Sequence, residues 1–537
     1  MSGKLVLGLD FGTLSARAVL VSVEDGTIES EASCSYPHGV ITGTLENGTL
    51  LPDSYALADA RDYRDALQYC VKEVTLGTDA RQIIGIGISA TTYTMVPCTD
   101  KAAALSELPE FQGEPMAYIK LWKHHGAEQQ AETIMQRYRE KHSFPVIERY
   151  GGSVNCEWAL PKLLETYQTA PAVFRTAFRF CDLGEWIAWL LTDHPVNSLY
   201  SLGFKGMWAP DLGFPGEEEL NSLSPGFAEA YMSKFAGEPC GYNLACGTLS
   251  PQAAEWLHLK PGIPIAAPLG DGSCPGVYFC KKDPNALAVT LGTSVAMAFV
   301  SKDLRPVRGI NGVVKDGIVS GYYGYDAGQP CAGDMLDWFI RQQVPVQYYE
   351  CAGATEQNIH AYLSGLAAKR HPWENALTAL DWFNGNRSIL NDQALRGAVA
   401  GYSLQTQAED VYCALVQGLA CGTRKILDFL AENGLVYDRI ILCGGIAEKN
   451  PFVLEQYANV LGRPVHVSQQ RQVTALSASI LAAIAAGIPP QTATEQMINT
   501  DFRVIHPDST HAKEYERIYR RWEKLHNLLA DYYREDS

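Results

Sequence analysis

Several patterns that mark common protein classes are missing from this 537-residue chain. Its 14 cysteines, from Cys34 to Cys443, form no C-x-x-C pair, which excludes a zinc ribbon or a dithiol redox centre and leaves reduced, structural thiols. No block of Lys or Arg occurs, and 43 basic against 60 acidic residues gives a net charge of −17, so a cationic surface for nucleic acid is excluded. The least polar stretch, 475–488, is interrupted by Ser477 and Ser479 and falls short of the roughly 20 residues that span a bilayer. The apolar run before Asp10 is too short for a signal peptide. The expectation is a cytoplasmic protein without membrane or nucleic-acid partners. The P-loop pattern Gly-x-x-x-x-Gly-Lys-Ser/Thr, the dinucleotide fingerprint Gly-x-Gly-x-x-Gly and the zinc-protease pattern His-Glu-x-x-His are absent as well.

What is present is enough apolar material, 47%, to build buried cores, in a length that suits two large domains. Two apolar runs, 5–11 and 16–23, meet at Gly12-Thr13, and a third enters through Asp25-Gly26, which reads as strand, turn, strand and hairpin partner. Helical periodicity follows at 59–74 and a compact strand at 83–89, so the pattern is α/β. The opening recurs 280 residues later, where 286–291 leads through Gly292-Thr293-Ser294 into 295–300. A repeat at that distance implies two related domains facing each other across a cleft. Helices are expected at 410–431, 450–461 and 512–534, and strands at 439–443 and 464–467.

The chemistry-bearing residues cluster at these turns. Gly12-Thr13 and Gly292-Thr293 let backbone N–H groups approach phosphate oxygens, and Gly444-Gly445 adds a third glycine turn, so a nucleoside triphosphate between the domains is expected. Either alone would be an ordinary hairpin. Asp10, ending a buried strand, suits a metal ion or its water shell, or caps its own turn. Arg17 reaches phosphate or sits on the surface. Asp271, between Gly270 and Gly272 where the domains should meet, serves as a base for a hydroxyl proton or caps the helix beginning near Cys274. His124 and His125 are adjacent, point apart and are expected at the surface or in the cleft. Trp122, Trp158, Trp208, Trp338 and Trp382 read as packing residues.

In order along the chain, Gly8-Leu9-Asp10-Phe11-Gly12-Thr13, Leu121-Trp122-Lys123, Glu157-Trp158 with Lys162, Lys205-Gly206-Met207-Trp208, Gly270-Asp271, Leu291-Gly292-Thr293-Ser294, Ala327-Gly328-Gln329, Asp381-Trp382-Phe383-Asn384-Gly385-Asn386-Arg387 and Gly444-Gly445 through Asn450 resemble the FGGY carbohydrate kinases, and among them the L-ribulokinases. The resemblance implies two ribonuclease H-like, actin-type ATPase domains with an interdomain cleft: 1–283 holding the sugar, 284–495 holding the nucleotide, and a helical tail at 496–537. It implies Asp271 as general base, Asp10 on Mg2+ through water, and Gly12, Thr13, Arg17, Gly292 and Thr293 on phosphates. Gly444, Gly445 and Asn450 match the adenosine loop, and Thr92, Trp122, Lys205, Asp271 and Asp326 are assigned to the sugar. ATP and Mg2+ are the implied cofactors, and a homodimer is compatible with the family.

The implied reaction is phosphorylation of the terminal hydroxyl of a ketopentose, L-ribulose first, with D-ribulose, xylulose or a polyol as the alternative. A sensor that has kept the fold and lost turnover is the reading from another class. Three positions depart from the L-ribulokinase pattern: Ser89 replaces an Asp, His124 an Asp, and Asp326 a Glu. The expectation is that these shift the accepted sugar.

Overall fold

A computed structural model describes residues 3–141, 144–235, 237–241 and 243–535. The first sheet is built from β1 (Leu5–Phe11), β2 (Ser15–Ser22), β3 (Ile28–Ser35), β4 (Ile83–Ala90), β5 (Ala245–Thr248), β6 (Pro264–Ala266) and β7 (Leu269–Gly270). Its order is β3-β2-β1-β4-β6-β5, with β7 also on β4. Every residue of β1 is buried, as expected of a strand covered on both faces, whereas β3 at the edge alternates between half-buried and exposed. The second sheet comprises β8 (Ala286–Leu291), β9 (Val295–Ser301), β10 (Gly312–Lys315), β11 (Tyr323–Gln329), β12 (Arg439–Cys443), β13 (Val465–Ser468) and β14 (Phe502–Ile505), in the order β10-β11-β9-β8-β12-β13-β14.

The two orders are the same motif. In each, a central strand has an antiparallel neighbour on one side (β2 on β1, β9 on β8) that is followed by another antiparallel strand (β3, β11), a parallel neighbour on the other side (β4, β12), and an antiparallel strand at the far edge (β5, β14). The second sheet adds β10 beyond β11. Sequence periodicity alone located β1, β4, β8 and β12. Helix α1 (Ala60–Val74) begins where the Asp59 carboxylate accepts from the Arg61 amide, a normal N-cap. The segment 496–537, expected as a helical tail with its helix at 512–534, also contributes a strand. Its residues Phe502–Ile505 form β14 on the edge of the second sheet, paired antiparallel with β13. Pairing satisfies an edge that would otherwise stay open. The long helix Ala512–Glu535 packs beyond it, burying Tyr515, Ile518, Tyr519 and Trp522.

The halves exchange a helix each. Cys274–Cys280, from the first half of the chain, packs on β8 and β9, while Val473–Ala485, from the second, packs on β1 and β4. The second contact is possible only because β1 and β4 present glycine. A Cβ at Gly8 would stand 2.1 Å from the Ala475 carbonyl oxygen, at Gly85 2.3 Å from that of Ala482, and at Gly87 1.9 Å from that of Ala478. One core cluster therefore joins Val6 and Val19 of the first sheet to Ala286 and Ala288 of the second, and fixes how their strand ends face each other.

Candidate active site

Parallel strands put their carboxyl ends at one edge, and loops leaving that edge form a crevice. On the first sheet Asp10 of β1 lies beside Ser89 of β4, and Gly270 of β7 lies beside Ala90, which places Asp271 at the same edge. On the second sheet Thr290 of β8 lies beside Cys443 of β12, so the Gly292 and Gly444 turns leave side by side. Gly444 has φ 93° and an added Cβ there would meet the Leu291 carbonyl at 2.7 Å, while Gly445 faces open space. The turn after Asp271 approaches Ala296 at the start of β9. The two edges thus meet with Asp271 at the seam.

The glycine turns work differently from the sequence expectation. The N–H of Gly12 donates to the Ser15 carbonyl and that of Gly292 to the Ser294 carbonyl, both at 3.0 Å. Each glycine closes its own turn. Among the described residues, the amides of Thr13, Leu14, Thr293 and Ser294 have no acceptor in the protein, so they are the donors left for an anion. Asn450 caps the helix Pro451–Leu461, and its amide nitrogen donates to Ser364 (3.0 Å) and Tyr412 (3.2 Å).

Asp10 is 5% exposed. It accepts from the Ser89 hydroxyl at 3.2 Å and lies 3.8 Å from the Arg17 guanidinium, so Arg17 is an ion-pair partner at the site. Burial raises its pKa against those two partners. Among the described residues, the Asp271 carboxylate accepts from the Gly272 amide alone (2.8 Å), and the residue opens a short 3-10 turn, Asp271–Ser273. Its pKa is pushed up to about 7, first by burial and then by repulsion from Asp10, with Lys205 opposing.

A cavity of about 810 Å3 opens beside this seam, lined by Glu157, Lys205, Asn311, Asp326 and Arg387 among others. Lys205 and Asp326 stand together in its lining. Thr92 and Trp122 are linked to it indirectly, because the Lys205 ammonium donates to the Thr92 carbonyl (3.3 Å) and the Arg387 guanidinium lies 5.8 Å from the centre of the Trp122 ring. Asp326 accepts from Asn311 at 3.3 Å. Burial pushes Glu157 up, yet Arg387 at 3.6 Å and His125 at 3.2 Å hold it at about 2. Sequence reasoning gave Glu157 and Arg387 no role, although both stand in segments that carried the family resemblance.

Two expectations are corrected here. His124 is fully buried, its ring beside Glu165 at 3.3 Å within a cluster where Lys120 pairs with the same carboxylate at 2.6 Å. Burial lowers its pKa to about 4, so it is neutral. A charged Lys120–Glu165 pair beside it lets an imidazole enter a core that an unpaired one would avoid. Ser89 is buried too and serves Asp10. Of the three departures from the L-ribulokinase pattern, only Asp326 lines the cavity. Trp382 is a packing residue as expected, at 0% exposure, and Trp158, at 5%, is buried but also lines the cavity, whereas the half-buried Trp122 makes a polar contact, its indole N–H donating to the Thr13 hydroxyl at 3.0 Å.

Two like-folded halves with a carboxylate-lined seam define the actin-type ATPase class. The comparisons carry the assignment further. Residues 287–486 match the model described as FGGY family of carbohydrate kinases, C-terminal domain. The chain is 35% identical to a ribulokinase of Shouchella clausii over 98% of its own length and 95% of the relative's. It is 36% identical to a ribulokinase of Mycolicibacterium smegmatis, over 98% and 94%. The crystal structure of xylulose kinase from Rhodospirillum rubrum superposes with a TM-score of 0.79 at 20% identity, covering 99% of this chain and all of that one. The chain belongs to the FGGY family of carbohydrate kinases. Among the described residues, no helix is long and apolar enough to cross a membrane.

Proposed function

We propose that the protein is a cytoplasmic, ATP-dependent ketopentose kinase that phosphorylates a terminal primary hydroxyl, with L-ribulose as its preferred sugar. The observation that carries this reading is Asp271, a carboxylate at the seam with a pKa near 7. It lies within the electrostatic reach of Lys205 from the cavity side and of Asp10 from the phosphate side. The sugar rests in the cavity against Lys205, Asp326, Glu157 and Arg387. Asp271 takes the proton of the hydroxyl as its oxygen forms the bond to the γ-phosphorus, the bond to the bridging oxygen breaks, and ADP leaves. The free amides of Thr13, Leu14, Thr293 and Ser294 and the Arg17 guanidinium receive phosphate charge. Positioning and charge compensation supply most of the rate in such a transfer.

The site suits a magnesium ion. Two buried carboxylates, Asp10 and Asp271, repel each other enough to raise the pKa of Asp271, a donor pair that gains from a cation. Among the described residues no group of three or more His, Cys, Asp or Glu could hold a metal. Asp10 would therefore hold Mg2+ through water, with nucleotide oxygens completing the shell. The ion's contribution is to neutralise phosphate charge.

Asp326 favours a second reading, a kinase of D-ribulose or xylulose. It stands where L-ribulokinases carry Glu, and a carboxylate one methylene shorter meets a different set of sugar hydroxyls, which changes selectivity. Purified protein with Mg-ATP and a panel of L-ribulose, D-ribulose, both xyluloses, ribitol and arabitol tests both. The highest kcat/KM is expected on L-ribulose. A higher value on another ketose selects the second reading, and binding without transfer on any member selects the sensor.

A further inference from the structure

Trp122 sits at the junction of the sugar cavity and the first phosphate turn, and three contacts fix it. Its backbone N–H donates to the Thr94 hydroxyl (3.2 Å), which is itself hydrogen-bonded to Thr91 (2.7 Å). Its indole N–H donates to Thr13. Arg387, which comes from the second half of the chain and lines the cavity, lies over its ring and is 3.6 Å from Glu157. A continuous series of contacts therefore runs from the cavity through Glu157, Arg387 and Trp122 to Thr13.

The direction of the Trp122–Thr13 bond matters. An indole N–H can only donate, whereas a hydroxyl both donates and accepts. With one lone pair of the Thr13 oxygen occupied by Trp122, the hydroxyl hydrogen must point elsewhere. No acceptor within the protein is bonded to it among the described residues. It is held as a donor in the turn whose Thr13 and Leu14 amides are also free.

We propose that Trp122 is a positioning residue that couples the sugar cavity to the phosphate turn, holding the Thr13 hydroxyl as a donor to a nucleotide phosphate and taking its own position from Arg387. The proposal rests on the kinase reading. Sugar entering beside Glu157 and Arg387 fixes the guanidinium and the ring beneath it, and the fixed ring fixes the hydroxyl. Each ligand then strengthens the binding of the other, as reciprocal coupling requires.

Titration calorimetry with a non-hydrolysable ATP analogue, with and without the sugar preferred in the panel, reads the coupling directly. In the wild-type protein, sugar should tighten nucleotide binding by about 5- to 10-fold, the scale of one ordinary hydrogen bond. Trp122→Phe keeps the ring and loses the N–H. It should bring the coupling within about 2-fold of none while sugar affinity changes less than about 3-fold. Thr13→Val should do the same by a different route, and the double variant should lose no more than the larger single loss. In turnover, kcat should fall by about 5- to 10-fold with the sugar KM little changed.

Coupling that survives Trp122→Phe or Thr13→Val overturns the proposal. So does lost sugar affinity with intact coupling, or additive losses in the double variant. If the wild-type protein transfers phosphate but shows no coupling, the proposal falls and the kinase reading stands. If it neither transfers phosphate nor binds sugar, both fall.

Discussion

Asp271→Asn should lower kcat by about 10²- to 10⁴-fold, the range of a positioned general base, while leaving affinity for the ATP analogue within about 3-fold. Steady-state kinetics and calorimetry check the two halves of that statement, and unchanged turnover would remove Asp271 from its role. The base must be ionised to accept a proton. With its pKa near 7, kcat/KM for the sugar should rise about tenfold per pH unit below pH 7 and level off above it, a limb absent from the residual activity of the variant.

The same shift predicts a stability change of opposite benefit. In the unfolded chain this carboxyl titrates near 3.8 and in the folded protein near 7, so between those values the folded state binds the extra proton. Its contribution to stability is fully present below about pH 4 and is lost as pH rises through 7. Asparagine carries no such cost. At pH 8 the Asp271→Asn protein should therefore melt higher by about 2 °C, roughly 2 kcal/mol for a chain of this size, and a lower Tm would contradict the buried, uncompensated charge. Gain of stability with loss of activity is the pattern expected of a functional site.

The second large effect is structural. Gly87→Ala should cost at least about 3 kcal/mol and abolish most of the folded yield. An added Cβ would fall 1.9 Å from the Ala478 carbonyl oxygen and 2.5 Å from its carbon, and that atom belongs to a helix that cannot yield locally. Gly365→Ala is the matched control. Gly365 lies within the helix Ile359–Lys369 with open space around it, so alanine there should stabilise by a few tenths to about 1 kcal/mol through helix propensity. Thermal melts of both variants decide the matter. A Gly87→Ala protein as stable as wild type would mean that the helix Val473–Ala485 can sit elsewhere.

Much of this was legible in the sequence because it is local. The buried run of β1 ends in Asp10 and Gly12-Thr13, and the run of β8 ends in Gly292-Thr293. A buried strand ending in a glycine turn looks the same in one dimension as in three. The helices expected at 59–74 and 450–461 were local too, and they appear as Ala60–Val74 and Pro451–Leu461. His124 was misplaced for the opposite reason. Its sequence neighbours say nothing of Lys120 and Glu165, whose pairing makes a polar interior. Nor could the strand Phe502–Ile505 be found from a segment with half-exposed residues, since its partner Val465–Ser468 supplies the reason for it.

The sequence by itself determined the repeated strand-turn-strand unit and the family, because each is written in contiguous segments whose residue types can be read without distant partners. Only the tertiary structure decided which amides remain free at the turns, that Ser89 and His124 lie behind the site while Asp326 faces it, and that Arg387 crosses to Trp122. The positions of Ser89, His124 and Arg387 depend on partners far along the chain, Asp10, Glu165 and Trp122 respectively. The exchanged helices make those contacts definite, because the glycines of β1 and β4 let the helix Val473–Ala485 pack at backbone distance and leave the two strand edges a single way to face each other.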